Sequence, residues 1–160
     1  YGESKAQAVQ RFLMYAAERL HEAGYYVSGD VFGECANAYV TACGQYWPAI
    51  SAVVDAISGM PYPDHYSARG DYKPWEHPYD TVHMFGESAA ARQSETASPA
   101  AVRTWIQCYN AIREPYNHYG AAELADEVRA LRDTGNTGGF MTWNGASDIG
   151  KYAEVIGALN

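Results

Sequence analysis

Side chains capable of chemistry recur at four points in this sequence, each directly after a short apolar or β-branched run. Carboxylates and imidazoles can transfer protons, while an indole face and an amide can stack on and hydrogen-bond to a sugar. These residue types therefore suit acid/base chemistry on a hydroxyl-rich ligand. The four points are Asp30, the run Asp64-His65-Tyr66, the pair Gln107 and Tyr109, and the pair Trp143-Asn144.

Asp30 is the candidate for a catalytic carboxylate. Hydrolysis of a glycosidic bond generally uses two carboxyl groups, about 5 to 5.5 Å apart for retention and about 6.5 to 9.5 Å apart for inversion. Asp30 ends a strand-like run and precedes Val31-Phe32-Gly33. The alternative is that its side chain caps a loop.

His65 is the second predicted catalytic residue. Its position suits hydrogen bonding to sugar hydroxyls or to an incipient oxyanion, without action as a base; alternatively, it bonds to loop backbone. Asp64 could provide an alternative carboxylate or orient His65. Tyr62 and Tyr66 either contact substrate or pack beneath the loop.

The last two strand ends supply predicted substrate-binding residues. If strand alternation turns odd positions inward, Gln107 and Tyr109 point into the opening where the four strand ends meet, which we call the mouth. Trp143 offers a stacking platform for a pyranose, although a core tryptophan is an equal alternative. Asn144 has both a donor and an acceptor with which to read hydroxyls.

Composition narrows the function further. The chain has 160 residues, is 48% hydrophobic and 19% charged, and carries a net charge of -8, so a folded core is expected and nucleic acid is an unsuitable partner. No apolar run predicts a membrane span. Phosphate-loop, serine-hydrolase and H-E-x-x-H motifs are missing, and we expect neither cofactor nor metal. Cys35 and Cys43 could pair across a loop, but three cysteines leave at least one free thiol. The cysteines therefore do not indicate in which redox compartment the protein resides.

Hydrophobic periodicity predicts helices alternating with short strands. Strand starts near residues 25, 57, 101 and 138 have the rhythm of right-handed β-α units, so the fold class is α/β with a parallel sheet. The polar residues after each strand favour a (β/α)₈ barrel, whose active site lies at the carboxyl ends of its strands. We predict strands over 25–32, 57–60, 101–109 and 140–143, and helices over 5–23, 47–56, 79–93, 121–131 and 151–159.

Four strands make half of such a barrel. We expect residues 1–160 to form a single domain that corresponds to its C-terminal half. Because an open parallel sheet must cover its edges, we expect either a homodimer or an N-terminal half of the barrel as partner.

The sequence resembles a bacterial glycoside hydrolase family of the (β/α)₈ class, formerly a domain of unknown function. The resemblance places Asp30 at the fifth barrel strand, where related barrels have the acid/base, and implies a polysaccharide substrate and an extracytoplasmic or cell-envelope location. It rests on Val27 to Gly33, Gly44-Gln45, Asp55 to Tyr66, and the last two barrel strands, Arg103 to Gln107 and Gly139 to Asn144.

The sequence departs from that family at three points. The family usually has Pro where Gly59 stands and Ser where Asp64 stands. Its fourth strand, ending in Asp-Tyr followed by Arg-Phe-Pro, is absent from these 160 residues. In related barrels that strand supplies the nucleophile, so this chain alone is expected to be inactive.

Two other functions stay open. One is a non-catalytic carbohydrate-binding barrel of the cell envelope, with the same mouth. The other is an open flavodoxin-like sheet, which requires a phosphate pocket after the first strand.

Overall fold

Helices and short parallel strands alternate along the chain in a computed structural model that describes residues 2–159. The helices are α1 (Lys5–Glu22), α2 (Trp47–Ser51), α3 (Pro78–Ser94), α4 (Ala121–Asp133) and α5 (Ile149–Val155). The strands are β1 (Ser28–Phe32), β2 (Ala56–Met60), β3 (Ala101–Val102), β4 (Thr104–Gln107) and β5 (Phe140–Trp143). Short 3₁₀ turns occupy Gly33–Ala36, Pro63–His65, Pro74–Glu76 and Ile156–Ala158.

Every strand pairing is parallel. Strand β2 lies between β1 and β3, and β4 pairs with β5. Strands β3 and β4 are one run of chain interrupted at Arg103, whose N–H still donates to the Ile57 carbonyl at 3.0 Å. The run therefore pairs with β2 at its start and with β5 at its end. This confirms the predicted α/β class, with parallel strand-helix units that correspond to part of a (β/α)₈ barrel.

Several predicted boundaries are wrong, among them those of the last helix, which spans Ile149–Val155 instead of 151–159. The first strand begins at Ser28 instead of residue 25, because the N–H of Tyr25 still donates to the Leu20 carbonyl at the end of α1. Helix α2 ends at Ser51, since the N–H of Asp55 already bonds to the Val27 carbonyl beside β1. The third strand ends at Gln107, before Tyr109.

Two apolar clusters hold the layers together. The first packs α1, α2 and α3 against β1, β2 and β3, and the second packs α4 and α5 against β4. Gly59 permits a close approach in the first cluster, because a Cβ there would lie 2.3 Å from the Phe85 ring of α3. Buried members include Val31, Trp47, Ile57 and Phe85 in the first cluster and Ile106, Leu124 and Val155 in the second.

The side of the sheet next to β1 is only partly covered. Within residues 2–159, β1 pairs on one edge, with β2. The apolar side chains of α1 are also only partly buried: Val9 and Leu13 pack on the core, whereas Phe12 is 67% exposed and Leu20 41%. None of the helices in this part of the chain is both long and apolar enough to span a bilayer.

Candidate active site

Asp30 occupies an exposed position in β1 and reaches across the sheet to β4. It stands in register with Ser58 of β2, yet its Oδ1 accepts a hydrogen bond from the Trp105 indole Nε1 at 3.1 Å. That bond spans the intervening strand β2. Trp105 thereby holds the carboxylate in place while leaving Oδ2 without a partner in the described residues.

The indole that donates to this carboxylate also contacts a second indole. Trp105 meets Trp143 edge to face, with ring centroids 5.9 Å apart and planes at 89°. Trp143 ends β5 and is 46% exposed, so part of its ring is open to a ligand. The sequence prediction overlooked Trp105, although it lies two residues before Gln107 and so on the same strand face.

Asp64 is fully buried, and both its carboxylate oxygens are engaged. Tyr109 Oη donates to Oδ1 at 2.8 Å, and the N–H of Ile112 donates to Oδ2 at 3.2 Å. Its own N–H donates to Gln107 Oε1 at 3.3 Å. Asp64 therefore ties the loop after β2 to the loop after β4, and it has no free oxygen with which to bind a substrate.

His65 lies at the surface of this network. Its Nε2 is 3.3 Å from Tyr109 Oη and 3.7 Å from Asp64 Oδ1, and its side chain is 56% exposed. The Tyr62 ring meets His65 edge to face at 5.2 Å. Contacts with Tyr62, Asp64 and Tyr109 therefore orient the imidazole, while its exposed part is accessible to a ligand.

The tyrosines of the mouth remain protonated donors. Burial raises the pKa of Tyr109, and the neighbouring Asp64 charge raises it further. Burial also raises the pKa of Tyr62, with the Asp30 charge as the next cause. The Asp30 charge therefore acts on the Tyr62 hydroxyl.

Four predicted substrate-binding residues are placed where contact with a sugar in the mouth is difficult. Tyr62 is 4% exposed and Gln107 is fully buried, with its Nε2 donating to the Tyr109 carbonyl at 3.3 Å. Asn144 both donates to and accepts from the backbone of Asp148, in the loop before α5. Tyr66 diverges from the mouth and lies against Gly33.

Glu127 of α4 is a buried carboxyl that sequence reasoning missed. Its Oε2 accepts the backbone N–H of Gln107 at 3.0 Å, and its Oε1 accepts the Tyr119 hydroxyl. Burial raises its pKa to about 8, and the Asp64 charge adds to that rise although both hydrogen bonds oppose it. Its position three residues after Leu124, on the apolar stripe of α4, was the available signal.

Hydrogen bonds from α5 also hold the loop after β4. Lys151 of α5 is 7% exposed, and its ammonium donates to Asn110 Oδ1 and to the Tyr119 carbonyl, both at 3.0 Å. It also pairs with Glu154 at 2.7 Å. The loop that presents Tyr109 is thereby held at both its ends.

Comparison with known sequences decides the family. Residues 1–149 match the family described as "Putative glycosyl hydrolase domain". The chain belongs to this family. The resemblance expected from the strand-end motifs is thereby confirmed, and no curated protein matches the sequence.

A solved structure shares the fold of this glycosyl hydrolase family member. It is the PgaB (BpsB) glycoside hydrolase domain from Bordetella bronchiseptica, with a TM-score of 0.54 and 15% sequence identity. The alignment covers 92% of this chain and 43% of that one, so the chain spans less than half the length of its structural relative. Family and fold together support a glycoside hydrolase-like function.

Proposed function

We propose that the protein is a glycosidase that cleaves O-glycosyl bonds of a polysaccharide, with Asp30 as a catalytic carboxylate. The observation that carries the proposal is the Asp30–Trp105 bond of 3.1 Å. It fixes an exposed carboxylate beside an aromatic wall, and a fixed carboxylate loses less entropy on reaching the transition state. Trp143, which contacts Trp105, supplies a stacking face.

Each remaining mouth residue takes a role that its contacts allow. His65 hydrogen-bonds sugar hydroxyls or the developing oxyanion from its exposed position. Tyr109, still protonated, orients His65 through its hydroxyl. Asp64, Gln107 and Asn144 act by holding loops, which revises the direct sugar contacts that the sequence suggested.

A second carboxyl group is needed for the usual chemistry. Both oxygens of Asp64 are already engaged, so Asp64 is a poor partner for Asp30. We propose that residues 1–160 form one domain equivalent to the C-terminal half of a (β/α)₈ barrel. The other carboxyl then comes from the N-terminal half or from a second copy of the chain.

The free edge of β1 supports this arrangement. A groove of about 510 Å³ runs between α1 and that edge, and Phe12, Leu13, Gly29 and Asp30 are among its lining residues. A further parallel strand with its helix would cover the exposed face of α1 and bring a neighbouring strand end beside Asp30.

A non-catalytic carbohydrate-binding barrel is the second candidate. Hydrolysis usually needs two accessible carboxyl groups. Of Asp30 and Asp64 only Asp30 is accessible, because both oxygens of Asp64 accept hydrogen bonds, and this favours binding without catalysis. Such a protein would bind sugar through Trp143 and His65 without turnover.

Replacement of Asp30 by Asn distinguishes the two candidates. In the full-length protein that the gene encodes, we expect Asp30→Asn to lower reducing-end release from bacterial exopolysaccharides by about 10² to 10⁴-fold and to retain polysaccharide binding. Glu34→Gln is the matched control, because Glu34 is an exposed carboxylate just beyond β1. Turnover equal to that of the wild type would remove Asp30 from catalysis.

A further inference from the structure

A second cavity opens at the Tyr66 end of the Pro61–Tyr66 segment. Its volume is about 590 Å³, and it opens between the Gly33–Ala36 turn, the loop after Tyr66 and helix α3. That volume is in the range of ordinary small-ligand sites, about 300 to 1,000 Å³. None of Asp30, His65 and Trp143 lines it.

The Tyr66 hydroxyl forms one wall of this cavity. A Cβ on Gly33 would lie 2.3 Å from Tyr66 Oη and 3.0 Å from the Pro61 Cα, so a glycine at this position makes room for the tyrosine. Within residues 2–159 no hydrogen bond engages that hydroxyl. Burial raises the Tyr66 pKa, with Glu34 as the next cause, so the group remains a neutral donor and acceptor.

The charges that line the cavity have opposite signs. Arg69 and Asp80 both contribute to its walls, and neither forms an ion pair within the described part of the chain. Asp80 lies in the first turn of α3, where its carboxylate already complements the positive end of the helix dipole. A bound anion would therefore meet a carboxylate, and a bound cation would meet a guanidinium.

An apolar wall completes the site. Phe85 is buried at the base and Met84 is 52% exposed, while Ser88 adds a hydroxyl one turn further along α3. Donors and acceptors thus face an apolar surface, as a ligand requires when it has hydroxyls at its edges and C–H groups on its faces.

From this arrangement we propose a second carbohydrate site, which binds a neutral sugar unit in the cavity between Tyr66, Arg69, Asp80 and Met84. The choice of a sugar over other neutral polar ligands rests on the proposed function. The Pro61–Tyr66 segment then serves two sites, since His65, supported by Tyr62 and Asp64, is exposed at the mouth while Tyr66 lines the cavity. A polysaccharide could be held at this cavity while another part of it occupies the mouth.

Binding of the protein to an array of neutral, amino-substituted and carboxylated oligosaccharides tests the proposal. We expect binding to neutral members. Ser88→Trp, which fills the cavity, should weaken that binding at least tenfold, and Tyr66→Phe should weaken it several-fold. Ala90→Trp is the matched control, because Ala90 is exposed on α3 and lies outside the cavity lining.

Three results would overturn this site. They are no binding to any neutral oligosaccharide, unchanged binding by Ser88→Trp, and equal loss in Ser88→Trp and Ala90→Trp. Circular dichroism confirms that each variant is folded. The same oligosaccharide binding is also measured in Asp30→Asn. Binding at the cavity should persist in that variant, so a failure of the proposed hydrolysis and a failure of the proposed cavity site give different results.

Discussion

Asp30 and Asp64 differ in burial and in the number of hydrogen bonds that their carboxylates accept. Asp64 is fully buried and accepts hydrogen bonds on both oxygens, from the Tyr109 hydroxyl and the Ile112 N–H. Asp30 is exposed and accepts one bond, from the Trp105 indole. A buried carboxylate whose two oxygens both accept hydrogen bonds stabilises the structure around it, whereas an exposed and oriented one is available for chemistry.

That contrast changes how the Asp-His-Tyr motif is understood. As a sequence, Asp64-His65-Tyr66 is the most conspicuous chemical signal in the chain. The structure separates the three residues. Asp64 is buried and holds loops together, the His65 side chain is accessible, and Tyr66 lines another cavity. Asp30, the exposed carboxylate, is the one that we propose as catalytic.

The largest expected effect on stability comes from Asp64→Ala. The change leaves the Tyr109 hydroxyl and the Ile112 N–H without their acceptor, and we expect it to cost about 2 to 4 kcal/mol of unfolding free energy. Asp30→Ala should cost under about 0.5 kcal/mol, as a surface change does. Urea denaturation compares the two, and equal losses would abolish the distinction between them.

Glu127→Gln should remove a pH dependence of stability. The Glu127 pKa rises from 4.5 to about 8 on folding, so the folded state holds a proton that the unfolded state releases between those values. Stability is therefore full below about pH 4.5 and is lost as the pH rises towards 8, at up to about 1.4 kcal/mol per pH unit.

The difference in unfolding free energy between wild type and Glu127→Gln isolates this group, because other titrations cancel. We expect the variant to gain stability relative to wild type as the pH rises from 5 to 8. A difference that is constant with pH would mean that Glu127 ionises as it does in water.

Trp105→Phe should have a smaller effect, confined to activity. It removes the indole donor and frees the Asp30 carboxylate to rotate, while Phe still packs against Trp143. We expect kcat to fall by about tenfold, equivalent to about 1.4 kcal/mol, with KM nearly unchanged. A rise in KM with no change in kcat would instead assign Trp105 to substrate binding.

Local sequence patterns predict much of the fold. The apolar stripe from Leu124 to Leu131 identifies α4, and the prolines after Met60 mark the end of β2. Parallel pairing follows from the spacing of the strands, and the mouth follows from the polar residues at strand ends. Glu127 could have been recognised from its place on the buried face of α4.

The rest depends on three-dimensional arrangement. The Asp30–Trp105 bond crosses β2, so it requires the packing of three strands side by side, which spacing along the chain does not specify. The 3₁₀ turn at Pro63–His65 directs Asp64 inward and Tyr66 away from the mouth. Likewise, the apolar pattern of α1 includes Phe12, yet the side of the helix that is covered depends on what pairs with β1.

The roles assigned to the two aspartates are tested most directly by comparing hydrolysis by Asp30→Asn and Asp64→Asn, each measured per folded molecule of the full-length protein. We predict a loss of at least about 10²-fold for Asp30→Asn and a loss within about tenfold for Asp64→Asn. The reverse order would contradict these roles, because the buried, fully engaged carboxylate would then be the one that reacts.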